Sequence, residues 1–346
     1  MTSIERCILH ESEINIEISK EQALVITFPI LRKTALALLL GACAASAMAD
    51  YPDRPVRIIV PFAATGVADL LARVVAQKIT EQTGKAVIVE NRTGAGGRIG
   101  YEAGAKAAPD GYTFVATDVT YTMMPALYPA LAWNAATDLV PVALLANMPF
   151  VVAVRQSDGL SSLSQFLAKA KASTSKLNYG SAGVGSVNHV VTELFERTAG
   201  ISMVNVPYRG MGDAIAGLMG GSVDVLVTAL PTAMGQVKAG KFKALGITSP
   251  QRVAALGEVP TTTEAGVRFV ASNWIGLTAP KDTPREALEW MQKSVAAAIG
   301  TPAVKQNFLE RGAEPSGAGA EELGRLMRSE TARWGDVIRS AKIVAE

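Results

Sequence analysis

Three stretches of this chain run from a short apolar segment into a helical one through a glycine-bearing turn. They are Val56–Asp69, Asn178–Ser186 and Val204–Asp213. The first N–H groups of a helix have no partner inside it. They point outward at the positive end of the helix dipole, where an anion such as a carboxylate is stabilised. In the first turn the candidates are Phe62, Ala64, Thr65, Gly66 and Val67, with the amides of Thr65, Gly66 and Val67 as donors. Asp69 follows them. Its two readings are a favourable acid in the first helical turn, or a partner for the ammonium of an amino acid. The second turn offers Ser181, Gly185, Ser186 and His189. The serines are donors, or caps of the helix start. His189 either donates to a carboxylate or is buried on backbone partners. The third offers Tyr208, Arg209 and Gly210. The Arg209 fork suits a carboxylate, and its other reading is a surface ion pair. Tyr121, just past a strand, is the aromatic candidate, and Trp274 a reporter of closure.

Catalytic machinery is thin around these turns. A Ser-His-Asp arrangement would depend on His189, and no G-x-S-x-G elbow surrounds Ser181 or Ser186. An exported hydrolase using Ser186 and His189 is the alternative from another class, and a sensor feeding a membrane kinase is a third. Gly94–Gly100 is superficially like a dinucleotide fingerprint, but its last glycine comes one place late. It reads as a tight turn. With two Cys and two His in 346 residues, metal and cofactor are both expected to be absent.

The elements that must hold these turns follow a βαβ rhythm. Val56–Val60 is apolar except for Arg57, nearly continuous rather than alternating, as a parallel strand covered on both faces favours. Leu70, Leu71, Val74, Val75 and Ile79 mark one face of the next helix, which Gly84 stops. Ala86–Val89 and Tyr112–Thr117 are further strands. Val142–Ala146 and Phe150–Arg155 read as two strands separated by Asn147-Met148-Pro149. After Pro280 the chain is mostly helical. The expectation is an α/β chain of two lobes, each a mostly parallel sheet flanked by helices, with a ligand cleft between them. The first lobe is expected at 50–149 and 278–346, the second at 150–277. The chain crosses between them near Met148–Ala153 and Trp274–Pro280.

The N-terminus reads as an address. Arg32-Lys33, the apolar run 34–42 and Ala47-Met48-Ala49 have the order of a cleavable secretory signal. Cleavage is expected after Ala49, and residues before about 30 read as an extension from a mis-assigned start. Both cysteines, Cys7 and Cys43, fall in this leader. It takes four basic and five acidic residues from totals of 33 and 31, leaving 29 and 26, or +3. That balance gives no footing for nucleic acid.

Several motifs then occur in order. They are Tyr51-Pro52-Asp53-Arg54-Pro55, Pro61-Phe62-Ala63-Ala64, Glu90–Gly97, Ala108–Thr113 and Val206–Gly210. Together they make the chain resemble the Bug family, the TctC-like receptors of tripartite tricarboxylate transporters. The resemblance implies a type II-like, two-lobe periplasmic binding protein that closes on small carboxylated solutes. It implies a small carboxylate or amino-acid ligand, and a membrane transporter with a large and a small subunit as partner. A monomer is expected. One departure falls in the first turn, where Thr65-Gly66-Val67-Ala68-Asp69 lacks the Gly-Gly pair and the Thr before the acid that such receptors usually carry.

Overall fold

The computed structural model describes residues 51–64 and 66–344. The expected leader, its cleavage point and Thr65 lie outside the described residues. The described residues open with β1 (Val56–Val60), α1 (Val67–Thr83), β2 (Val87–Asn91), α2 (Arg98–Ala105), β3 (Thr113–Asp118) and α3 (Val119–Leu127). The long strand β4 (Leu139–Arg155) follows, then α4 (Leu163–Ala172), β5 (Asn178–Ser181), α5 (Val187–Ala199) and β6 (Val204–Pro207). Next come α6 (Met211–Gly220), β7 (Leu226–Ala229), α7 (Leu230–Lys238), β8 (Phe242–Ile247) and β9 (Ser272–Pro280). The chain closes with α8 (Arg285–Gly300), α9 (Pro302–Glu310), the two-residue β10 (Glu314–Pro315) and α10 (Ala320–Ala341).

β1 lies between β2 and β3 and is parallel to both. Its run is apolar apart from Arg57, which pairs with Glu90, because the sheet is covered on both faces. α1 buries Leu71, Val75 and Ile79 against it, at spacings that keep one helical face inward. Gly84 stops α1 in the left-handed region (φ 69), its N–H returning to the Thr80 carbonyl. β9 pairs antiparallel with β3, and the first half of β4 pairs antiparallel with β9. α8 and α9 add Val295, Ile299 and Phe308 to the same core as α1.

Where two strands were expected, β4 is one strand of 17 residues. Residues 139–149 pair with β9, and from Phe150 onward the partners are β7 and β8. Pro149 has no N–H to give to a ladder, and it sits at the switch of partners, where that loss is tolerated. The second sheet grows from the far half of β4, with β7 and β8 antiparallel to it. Parallel β5 and β6 attach through the parallel bridge Tyr179–Val225.

The return crossing also differs from expectation. β9 pairs with the first sheet along its whole length, Ser272 to Pro280. The chain therefore re-enters that sheet before Ser272, not at 277/278. The register explains this, because Ser272 already lies opposite Pro149.

Thr248 ties the two crossings together. Its N–H donates to the Phe150 carbonyl at 2.9 Å, its Oγ1 accepts from the Phe150 N–H at 2.8 Å, and its carbonyl accepts from Ala271 N–H at 3.1 Å. The residue is fully buried. Thr248→Val keeps the shape but strands the Phe150 amide, and should cost about 1–3 kcal/mol of stability, read by urea unfolding. A loss below a few tenths would show that the amide finds another partner.

α10 does more than pack on the first sheet. Leu323 presses on β9 at Gly276, where any Cβ would meet the leucine at 2.7 Å. Its far half reaches the other side, with Arg333 donating to the Val270 carbonyl and Arg197 of α5 donating to Ser340. Trp334, Phe195 and Phe269 share one core cluster.

Candidate functional site

A cleft of about 470 Å³ lies where both sheets present strand ends and helix starts. The first sheet contributes Phe62, Val67 and Ala68 from the β1–α1 turn and Asp118 and Thr120 from the β3–α3 junction. Asn273 and Ile275 come from β9. The second contributes Gly185, Ser186, Val187 and Asn188 at the start of α5, Met211 at the start of α6, and Thr228 and Ala229 ending β7. Each of these parallel strands passes into its helix with at most a short turn between, so the helix N-terminus faces the sheet's carboxyl edge.

At α1 the N-cap Gly66 is extended (φ −67, ψ 162). Its own N–H returns to the Ala63 carbonyl at 3.2 Å, so this expected donor is spent. The amides left facing the cleft are Val67 and Ala68, which have no partner among the described residues. Ala64 is exposed and does not line the cleft. Asp69 is 2 % exposed, accepts from Arg73 and from Asn91 Nδ2 at 2.8 Å, and is not a cleft residue. The ammonium reading of Asp69 is therefore overturned. Its charge is already paired, and it braces the first turn of α1.

At α5 the Ser186 Oγ accepts from the His189 N–H, capping the helix, and Ser186 lines the cleft with Gly185. The imidazole is turned away from that hydroxyl. Nδ1 accepts from the Gly185 N–H at 3.0 Å, and Nε2 lies 3.8 Å from Glu193. Burial holds the His189 pKa below its ordinary value, partly opposed by Glu193. His189 is thus a buried histidine on a backbone partner, and the Ser186–His189 pair of the hydrolase reading is not formed. Ser181 is buried and donates to the Gly183 carbonyl, outside the cleft lining.

In the third turn Tyr208 packs on Gly217, where a Cβ would strike its hydroxyl at 2.2 Å. Arg209 is exposed and outside the lining, and no ion pair holds it among the described residues. Gly210 is the extended N-cap of α6, and the following Met211 reaches the cleft in its place. Tyr121 faces a separate groove of about 870 Å³, with its ring stacked on Trp133 at 5.3 Å and its hydroxyl on the Ala135 carbonyl. α3 turns that side chain away from Asp118 and Thr120, which hold the cleft end of the same junction.

Several contributors went unseen in the sequence. The 94–100 glycine turn places Ala95 and Gly96 on the cleft wall, both left-handed (φ 46 and 63). That conformation is costly for alanine, and such strain tends to collect at binding sites. The run of glycines was the signal. Asn188 donates through Nδ2 to the Val227 carbonyl, and Asn273 Oδ1 accepts from the Trp274 N–H; neither bond has a sequence signature. Among the described residues no group of three His, Cys, Asp or Glu could hold a metal ion.

Comparison with known proteins places this geometry. Residues 71–343 match the family described as "Tripartite tricarboxylate transporter family receptor". The solved structure of the periplasmic binding protein BugD is 30% identical, with a TM-score of 0.77 over 86% of this chain and 100% of that chain. An R. palustris protein with adipate is 32% identical, with a TM-score of 0.79 over 85% and 99%. MatC from Rhodopseudomonas palustris with bound malate is 32% identical, with a TM-score of 0.75 over 83% and 100%. The two-lobe binding-protein architecture is shared with them. The chain belongs to the tripartite tricarboxylate transporter receptor family, whose members are periplasmic solute-binding receptors.

Proposed function

We propose that this chain captures a small carboxylated solute in the cleft and delivers it to the large and small membrane subunits of a tripartite transporter. One observation carries the reading. The N-termini of α1, α5 and α6 all open on the same cleft, two of them from the opposite sheet. Unpaired amides at such ends hold a carboxylate without a cationic side chain. The liganded neighbours support the same chemistry, since adipate and malate are both carboxylates.

The lobes then divide at Pro149/Phe150 and at Ala271/Ser272, and the hinge is the pair of crossings held by Thr248. Closure brings Val67 and Ala68 toward Val187 and Asn188. The receptor acts as a monomer in the periplasm without catalysis, exported by the leader and cleaved after Ala49. Thermal-shift and calorimetric screening against mono-, di- and tricarboxylates and amino acids tests the reading. A saturable 1:1 ligand should raise the melting temperature by mass action. A panel that produces neither heat nor shift would defeat it.

A further inference from the structure

The cleft holds one acid and no base. Among the described residues that line it there is no lysine, arginine or histidine, and Asp118 is its one carboxyl group. Asp118 is 5 % exposed and caps α3. Its two oxygens are not equally satisfied. Oδ1 accepts from Tyr101 Oη at 2.7 Å and from Thr120 N–H at 2.9 Å, Oδ2 accepts from the Thr120 hydroxyl at a longer 3.3 Å, and the Tyr121 backbone N–H also bonds the carboxyl group. One polar group on the lining is unmet, because the Thr228 hydroxyl is fully buried without a partner. The aromatic rings of Phe62 and Tyr128 line the same cleft.

We propose that the ligand of this cleft is a monocarboxylate that also carries a protonated amine, with its carboxylate at the helix amides and its amine at Asp118. This rests on the carboxylate-receptor reading above and narrows it. A solute with two or three carboxylates would set one of them against Asp118 with no cationic side chain on the described cleft lining to offset the repulsion. An acid that shares its cleft with aromatic rings is instead the chemistry that receives an ammonium.

The surrounding charges leave Asp118 alone in this role. On α1, Asp69 is held by Arg73 and Asn91. On α2, Tyr101 donates to Asp118, and Arg98 lies over the Tyr128 ring, 5.3 Å from its centroid. On β9, Asn273 is neutral. On α5, His189 is committed to Gly185, and on α6, Asp213 is exposed and outside the lining. Burial raises the Asp118 pKa to about 6, with the Tyr101 and Thr120 hydrogen bonds pulling it partly back. The folded-state value is above the unfolded one, so the stability this group contributes is present at low pH and lost as pH rises through about 6. Above that pH an ammonium at Oδ2 would offset the cost of the buried charge.

The test is titration calorimetry of the purified protein with 2-aminobutyrate, 4-aminobutyrate, their hydroxy analogues, butyrate and succinate. An amino member should bind about tenfold or more tighter than its hydroxy analogue and than succinate, the scale of one charge-assisted contact. Its affinity should fall as pH drops below about 6, approaching tenfold per unit, as Asp118 takes up a proton. A ligand without the amine should show the opposite slope. Asp118→Asn should erase both the preference and the pH dependence, and the wild-type pH profile stands even if that variant folds poorly. Preference for the hydroxy or plain carboxylates, with no fall in affinity at low pH, would overturn the proposal alone. If neither this set nor di- and tricarboxylates bind, the carboxylate-receptor reading falls with it.

Discussion

Val67→Pro is expected to weaken binding of the carboxylate ligand by roughly 10- to 100-fold, the worth of a hydrogen bond to a charged group. The melting temperature of the unliganded protein should hold. Val67 is the first residue of α1, the position where proline is best tolerated because the missing N–H has no helical acceptor to lose. The preceding residue must be extended to accept a proline, and Gly66 already is, at φ −67 and ψ 162. The substitution therefore deletes one cleft amide and little else. Val67→Ala is the control, since it trims the side chain and keeps the N–H. Calorimetry on both separates the effects. If the proline and alanine variants bind alike, the amide of Val67 does not hold the anion, and the helix-terminus account of the cleft fails at its first donor.

Trp274→Ala should cost about 3–5 kcal/mol of stability, the range for removing a large aromatic from a core. Trp274 is 1 % exposed and belongs to the core cluster that includes Phe195, Phe269 and Trp334, so its loss leaves a cavity beside the return crossing. Its indole Nε1 is buried without a partner. An unmet buried donor carries a penalty of about 1–3 kcal/mol, and Trp274→Phe removes it together with part of the ring. Phenylalanine should accordingly cost less than half of what alanine does. Denaturant unfolding at constant m-value reads both differences. If the two variants lose equally, the indole N–H has a partner in solution. Trp274 was expected to report closure. A residue so enclosed beside cleft-lining Asn273 will sense it through that neighbour and not through solvent.

Local physics was legible along much of the chain. The nearly continuous apolar run 56–60 read as a covered strand, and β1 lies there with parallel neighbours on both sides. Gly84 stops α1 where a left-handed residue is required. The starts of α1, α5 and α6 fall at the three glycine-bearing turns. The motif order pointed to the family that the match over 71–343 shows. β4 was less legible. Asn147-Met148-Pro149 carries turn-forming residues, yet the strand runs through them because β9 and then β7 supply the ladder on either side of Pro149.

The sequence by itself determined the period of each element, the turns that expose helix amides, and the scarcity of reactive groups among them. Those depend on neighbours a few residues apart. Tertiary structure decided which side chains share the cleft. It withdrew Ser181, His189 and Asp69 into bonds of their own, left Arg209 outside, and brought Asp118, Thr228 and Asn273 together from strands more than 40 residues apart. A side chain's partner is set by which strand ends meet at the sheet edge and by what each buried polar atom must bond. No spacing along the chain encodes that.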